Sequence, residues 1–235
     1  MMESLSSTLF EAITLLLSGD PELWNIIGIS FRISTTAILI AMVPAILIGF
    51  TLAYADFPGR RLLISFFNSL LAVPAVVVGL TLYIVLSRQG PLGEWKLLFS
   101  QTAMIMGQIT LSFPILVAMS HSAFQSAEMR AWDTARTLGN HPLHAFLIIM
   151  REVRFGLFGA LLAAYGRIIA EVGASMMLGG NILNVTRNIP TAIAMETSKG
   201  EFTQGIALGI ILLLMAFLLT MTLQYMQGRG KLAHD

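Results

Sequence analysis

GLFGALLAAYGRIIAEVGASMML, residues 156–178, has the length and apolar character of a membrane span, yet it carries Arg167 and Glu171. A hydrocarbon core takes roughly 20 helical residues to cross, so the two charges fall well inside this stretch. They stand four residues apart, and on a helix that spacing puts them side by side on one face. A lone charge at membrane depth costs roughly 3 kcal/mol on insertion scales, and pairing lowers that cost. Gly156, Ala160 and Ala164 recur every four residues, with Gly159 and Ala163 beside them. Small residues at this spacing allow close helix–helix approach, either within the chain or between two copies.

The rest of the chain reads in the same way. It has 235 residues, 56% hydrophobic and only 11% charged, whereas an ordinary soluble domain is about a quarter charged. Too little polar surface is available to cover a globule in water, so the expected class is an all-α integral membrane protein. Five long apolar segments lie at about 24–54, 62–86, 99–124, 156–178 and 203–226. Residues 5–17 (LSSTLFEAITLLL) are too short to span and read as an interfacial or bundle-wrapping helix. SGDPE, DFPGRR and SRQGPLGEWK are turn-rich breaks. Pro44, Pro74 and Pro114 fall within spans and predict kinks there. Cysteine is absent, which excludes disulfides and thiolate metal sites on this chain. Residues 1–22 hold four acidic residues and no Lys or Arg, unlike a signal peptide.

Basic residues set the expected orientation. With the N-terminus outside, Arg60, Arg61, Arg130, Arg136, Arg151, Arg154, Arg229 and Lys231 fall in the cytoplasm. Arg88, Lys96, Arg187 and Lys199 fall outside. The domain reading is an extracytoplasmic or interfacial segment 1–22, a transmembrane domain 23–228 with a cytoplasmic loop 126–155, and a cytoplasmic tail 229–235. His121, His141, His144 and His234 lack the accompanying ligands of a metal site. No Walker A, G-x-S-x-G or HExxH pattern is present, so the chain reads as non-catalytic.

The loop carries AEMRAWDTARTLGNHPLHAFLIIMREVR, from Ala127 to Arg154. AWDTARTL reads as a short charged helix that Gly139-Asn140 can stop. Pro142 suits the first turn of a second helix, on which Leu143, Phe146, Leu147 and Met150 share a face. The segment resembles the EAA loop of ABC-transporter permeases. Asp133, Thr134, Ala135, Gly139 and Ile149 occupy the motif positions. Asp replaces Glu, Thr replaces the first Ala, and Arg151-Glu152 stand where Leu-Pro is usual. The resemblance implies a coupling helix for a cytoplasmic ATPase, built from Asp133, Thr134, Ala135, Leu138, Gly139, His141 and Pro142.

GRIIAEVGASMMLGGNI and TRNIPTAIAMETSKGEF are similar to the last two spans of the oxyanion permeases of ABC importers, and within that group most similar to the tungstate permeases. The resemblance runs over roughly residues 25–228. It implies a type I importer bundle of about five transmembrane helices plus the N-terminal interfacial helix, in a prokaryotic cell membrane. Two copies would form the translocation pathway. Its partners would be a cytoplasmic ATPase dimer, which holds ATP and magnesium, and an extracytoplasmic oxyanion-binding protein. No cofactor or metal is expected on the chain itself. Arg167, Glu171 and Ser175 are the candidates for the pathway or its gate. The alternative for the charged pair is a structural one, a self-neutralised couple that fixes helix rotation. Arg32, Asn181 and Arg187 are candidate contacts for the anion or its delivery protein. Molybdate and sulfate stay open as substrates. An ATP-independent channel or a secondary transporter stays open as a different class, although no internal duplication of the kind found in secondary transporters is visible.

Overall fold

The computed structural model describes residues 2–126 and 142–231. Among the described residues the regular structure is helical, with no strand: α1 (Met2–Leu17), α2 (Pro21–Tyr54), α3 (Arg60–Leu70), α4 (Ala75–Leu86), a 3-10 turn (Gly93–Trp95), α5 (Gln101–Ser126), α6 (Pro142–Glu152), α7 (Arg154–Ile169), α8 (Gly173–Gly179), α9 (Ile189–Lys199) and α10 (Phe202–Lys231). Among the described residues three helices are long and apolar enough to cross a membrane: α2, α5 and the part of α10 from Phe202 to Thr222. Two bent pairs bring the crossings to as many as five.

The limits of α2 follow from local chemistry. The Asp20 carboxylate accepts the Leu23 N–H at 2.8 Å, and Pro21 occupies the first turn. At the other end Arg60 donates to the carbonyls of Leu52 and Ala53, both at 2.7 Å, and pairs with Asp56 at 3.0 Å. Those donors satisfy carbonyls that the helix terminus leaves open. Gly59 has φ 87°, which suits glycine, and the chain turns there into α3.

Two of the expected continuous spans are broken. Residues 62–86 form α3 and α4, which meet at 99°. Pro74 lacks an N–H and biases Val73 away from helical angles, so the chain stops and restarts where a kink was expected. Residues 156–178 form α7 and α8, bent by 63° at a break that contains no proline. Pro44 and Pro114 lie inside continuous helices.

The described residues fall into two compact units. One draws on Met1–Ala37, Pro74–Leu111 and Gly166–Leu218. It has a cluster of Leu23, Ile26, Ile189 and Leu208, against which Ala12 of α1 packs. A second cluster joins Ile29, Ile33, Leu86, Met104 and Leu178. The other unit draws on Ile38–Val73, Ser112–Tyr165 and Leu219–Asp235. Its core brings Ala53, Phe124, Ile149, Val153 and Leu157 together. On α6 the buried positions are Ala145 and Ile149, with Phe146 and Met150 partly buried. Leu147, expected on that face, is exposed. The expected small-residue face of α7 packs within this unit: a Cβ added at Gly156 would lie 2.8 Å from the Ala123 Cβ. Ala160 and Ala164 are fully buried.

Many large apolar side chains face outward, among them Leu213, Phe217 and Leu218 of α10 and Leu62 of α3. In water such a surface would aggregate, whereas in lipid it is solvated.

Candidate functional site at the α7–α8 break

α7 stops at Ile169, so Glu171 lies past its end and not on a continuous helix as expected. The i,i+4 contact survives the break. Arg167 Nη1 meets Glu171 Oε2 at 2.9 Å. The other carboxylate oxygen accepts the Ala174 N–H, in the first turn of α8, at 3.3 Å. Arg167 occupies the last turn of α7, where a cation complements the helix dipole. The two partners differ in burial. The Glu171 side chain is 9% exposed and that of Arg167 is 50% exposed. Removing either partner of a buried pair strands the other charge, at a cost of roughly 3–5 kcal/mol when burial is complete. The exposure of Arg167 places this pair below that figure.

The break opens a carbonyl at Ile168 and closes it again. Gln108 of α5, itself buried, donates its Nε2 to the Ile168 oxygen at 3.2 Å, and the Glu171 N–H reaches the same oxygen at 3.2 Å. A helix that ends inside a membrane needs such donors, because no water supplies them. Replacing Gln108 by leucine removes the side-chain donor at nearly constant volume. The Glu171 N–H still reaches that oxygen, so we expect the purified protein to lose about 0.5–1.5 kcal/mol of stability, the net worth of one hydrogen bond. A thermal-melting series reads this directly, and an unchanged melting point would contradict the role.

α8 is held by close glycine contacts. A Cβ on Gly79 of α4 would lie 2.8 Å from the Ala174 Cα, and one on Gly173 would lie 2.7 Å from Val76 Cγ2. Gly107 of α5 faces Leu178 and Gly179 faces Met104, each with a Cβ position 2.6 Å away. Ser175 is buried in this packing, and among the described residues its hydroxyl has no hydrogen-bond partner.

The loop after α8 is tied down by its own polar groups. Thr186 Oγ1 donates to the Gly179 carbonyl at 2.6 Å and accepts the Ile182 N–H at 2.9 Å. Asn188 caps α9 through a reciprocal capping box with Thr191. Asn181, at φ 51°, and Arg187 both approach Met195 Sδ, at 3.1 and 3.4 Å. Arg187 also pairs with Glu22 at 3.5 Å, with its side chain only 12% exposed. It is a tie between this loop and the start of α2. Arg32 is exposed on α2.

The structure thus brings Arg167 and Glu171 together, places Ser175 one turn into α8, and leaves Arg32 apart on α2. Asp133, Thr134, Ala135, Leu138, Gly139 and His141 lie outside the described residues. Pro142 begins α6. Gln108, Gly79 and Gly107 were not singled out from the sequence. An amide away from either end of the apolar α5 was the available signal for Gln108, since polar groups at membrane depth seek partners.

No protein-family model matches the chain. A curated relative from Peptoclostridium acidaminophilum, the tungstate uptake system permease protein TupB, is 38% identical over 226 residues. That match covers 96% of this chain and 99% of the relative. The molybdenum transport system permease protein ModB of Escherichia coli K12 is 30% identical over 192 residues, covering 77% of this chain and 83% of ModB. Among solved structures, an amino acid ABC transporter crystallised with histidines superposes with a TM-score of 0.65. It covers 92% of this chain and 97% of that one at 14% identity, a likeness of fold.

Proposed function

Since the chain belongs to the oxyanion permeases of ABC importers, we propose that it forms the translocation pathway for tungstate as a homodimer in a prokaryotic cell membrane. The observation that carries this reading is the 38% identity to a tungstate uptake permease along nearly the full length of both chains. The more distant likeness to ModB makes molybdate the second substrate reading. Tungstate and molybdate are tetrahedral dianions of nearly equal size, so selection between them would rest mainly with the protein that delivers the anion.

The chain is the non-catalytic part of the machine. It carries no nucleotide-binding motif, so ATP and magnesium would sit on a separate cytoplasmic ATPase pair. The segment from Asp133 through Ala135, Leu138, Gly139 and His141 to Pro142 would dock into those subunits. What supports this is its place directly before α6, whose Phe146 and Ile149 pack on the ends of α2 and α5. ATP binding would draw the ATPases together, and α6 would carry that motion to the spans. An N-terminus outside and a C-terminus inside follow from the distribution of basic residues.

Co-purification tests the assembly. A tagged chain should be recovered as two copies with two ATPase subunits. Gly139→Asp should release the ATPase and leave the permease dimer. Recovery of the ATPase with that variant in normal amount would remove the coupling role from this segment.

A further inference from the structure

We infer that Glu171 occupies, on Arg167, the place of the transported oxyanion, and that Arg167 is the side chain the anion touches in passing. This rests on the permease reading above and adds a substrate contact to it. Three features of the helix break carry it.

The Glu171 carboxylate is held as a bound anion is held. One oxygen lies on the Arg167 guanidinium at 2.9 Å, the other accepts the Ala174 N–H at 3.3 Å, and the side chain is 9% exposed. Arg167, by contrast, keeps most of its capacity open. Its side chain is half exposed, and among the described residues its one hydrogen bond runs to Glu171. A guanidinium has five N–H donors. The same planar fork that takes a carboxylate also takes a tetrahedral oxyanion. A dianion brings twice the charge of the carboxylate to the same cation, so it can displace Glu171.

The exchange gives the pair a purpose that simple neutralisation does not. An unpaired arginine at membrane depth would hold a dianion tightly and stop its passage. With Glu171 as a tethered competitor, the anion is released when the carboxylate returns. Gln108 holds the Ile168 carbonyl and the contacts at Gly79 and Gly173 hold α8. The pair can therefore part without the break unravelling. Glu171 acts through Arg167 and is a positioning residue; Arg167 is the contact.

Glu171→Gln in the complete permease–ATPase complex tests this, because glutamine keeps the size and can still accept the Ala174 N–H. The probe is labelled tungstate in equilibrium dialysis, without ATP and without the delivery protein. The variant should retain tungstate at least roughly tenfold more tightly than the unaltered complex. Unlabelled molybdate should displace it, and Arg167→Gln/Glu171→Gln should retain none beyond background. Equal retention by the unaltered complex and Glu171→Gln, or by the single and double variants, would overturn the inference. If Glu171→Gln does not assemble, Arg167→Gln decides: uptake should fall at least roughly tenfold with the complex recovered in normal yield. Unchanged uptake would overturn the inference. Unaltered complex is assayed for ATP-driven uptake in parallel. Its failure would remove the permease reading and this inference together, whereas intact uptake with no tungstate held by Glu171→Gln would remove the inference alone.

Discussion

Valine at position 79 should abolish uptake and sharply lower the stability of the assembled protein. A Cβ there would lie 2.8 Å from the Ala174 Cα and 3.3 Å from its Cβ, with Met177 Sδ at 3.2 Å. The methionine end can swing away, but the Ala174 backbone cannot. Its N–H is held by Glu171 and its helix is packed by Leu178 on α5. The only relief is to push α4 from α8, which pulls Ala174 off the carboxylate and loosens the Arg167 pair. Overpacking a tight contact typically costs about 1–3 kcal/mol for small increments, and the two further methyl groups of valine add to that. Gly209 of α10 supplies the contrast, since nothing lies within 4 Å of its Cβ position. Alanine there should be neutral or raise the melting point, because glycine inside a helix is worse than alanine by about 1 kcal/mol. Melting points and uptake for the two variants check the pair. Full uptake with Gly79→Val would mean that the α4–α8 contact does not position the site.

The second large effect is expected at Phe124. Its side chain is fully buried at one side of an aromatic cluster that Phe50 joins together. Phe50 approaches it edge-on at 5.3 Å between ring centres, and Phe146 of α6 approaches Phe50 in the same way at 4.8 Å. The Tyr54 hydroxyl donates to the Phe124 carbonyl at 3.1 Å. Phe124→Ala leaves a cavity against Phe50 and Tyr54 and should cost about 3–5 kcal/mol. Because the cluster holds α6 against α2 and α5, the defect should also appear in coupling. The assembled complex should still hydrolyse ATP while importing less anion per ATP. Measuring hydrolysis and uptake in the same vesicles separates this from simple loss of protein. An unchanged ratio with a lowered melting point would leave Phe124 a purely structural residue.

What could be read from the sequence followed the strength of the local signal. α2, α5 and α10 were legible because long uninterrupted apolar runs have few alternatives to a span. The break at Pro74 was legible in position and not in size. A proline dictates where the backbone bond is lost, but not how far the chain turns. The break at Glu171 was not legible, because no proline marks it. One of its supports is Gln108, which is distant in sequence and reaches the Ile168 carbonyl only once α5 lies alongside. The Arg167–Glu171 pair was nevertheless anticipated, since i,i+4 neighbours stay within reach when the intervening turn loosens. Arg187 was read as a candidate contact for the anion or its delivery protein. Its pairing with Glu22 depends on two segments that no local pattern connects. The face of α6 was misplaced at Leu147 for a similar reason: several apolar positions compete on a short helix, and its neighbours choose among them.

The central claim is that this chain carries tungstate across a membrane at the expense of ATP hydrolysed by a partner. Uptake of labelled tungstate by cells with and without the chain, before and after ATP depletion, tests it most directly, with unlabelled molybdate and sulfate as competitors. Uptake should require both the chain and ATP, and molybdate should compete for it poorly. Uptake that is the same without the chain, or that persists when ATP is gone, would contradict it.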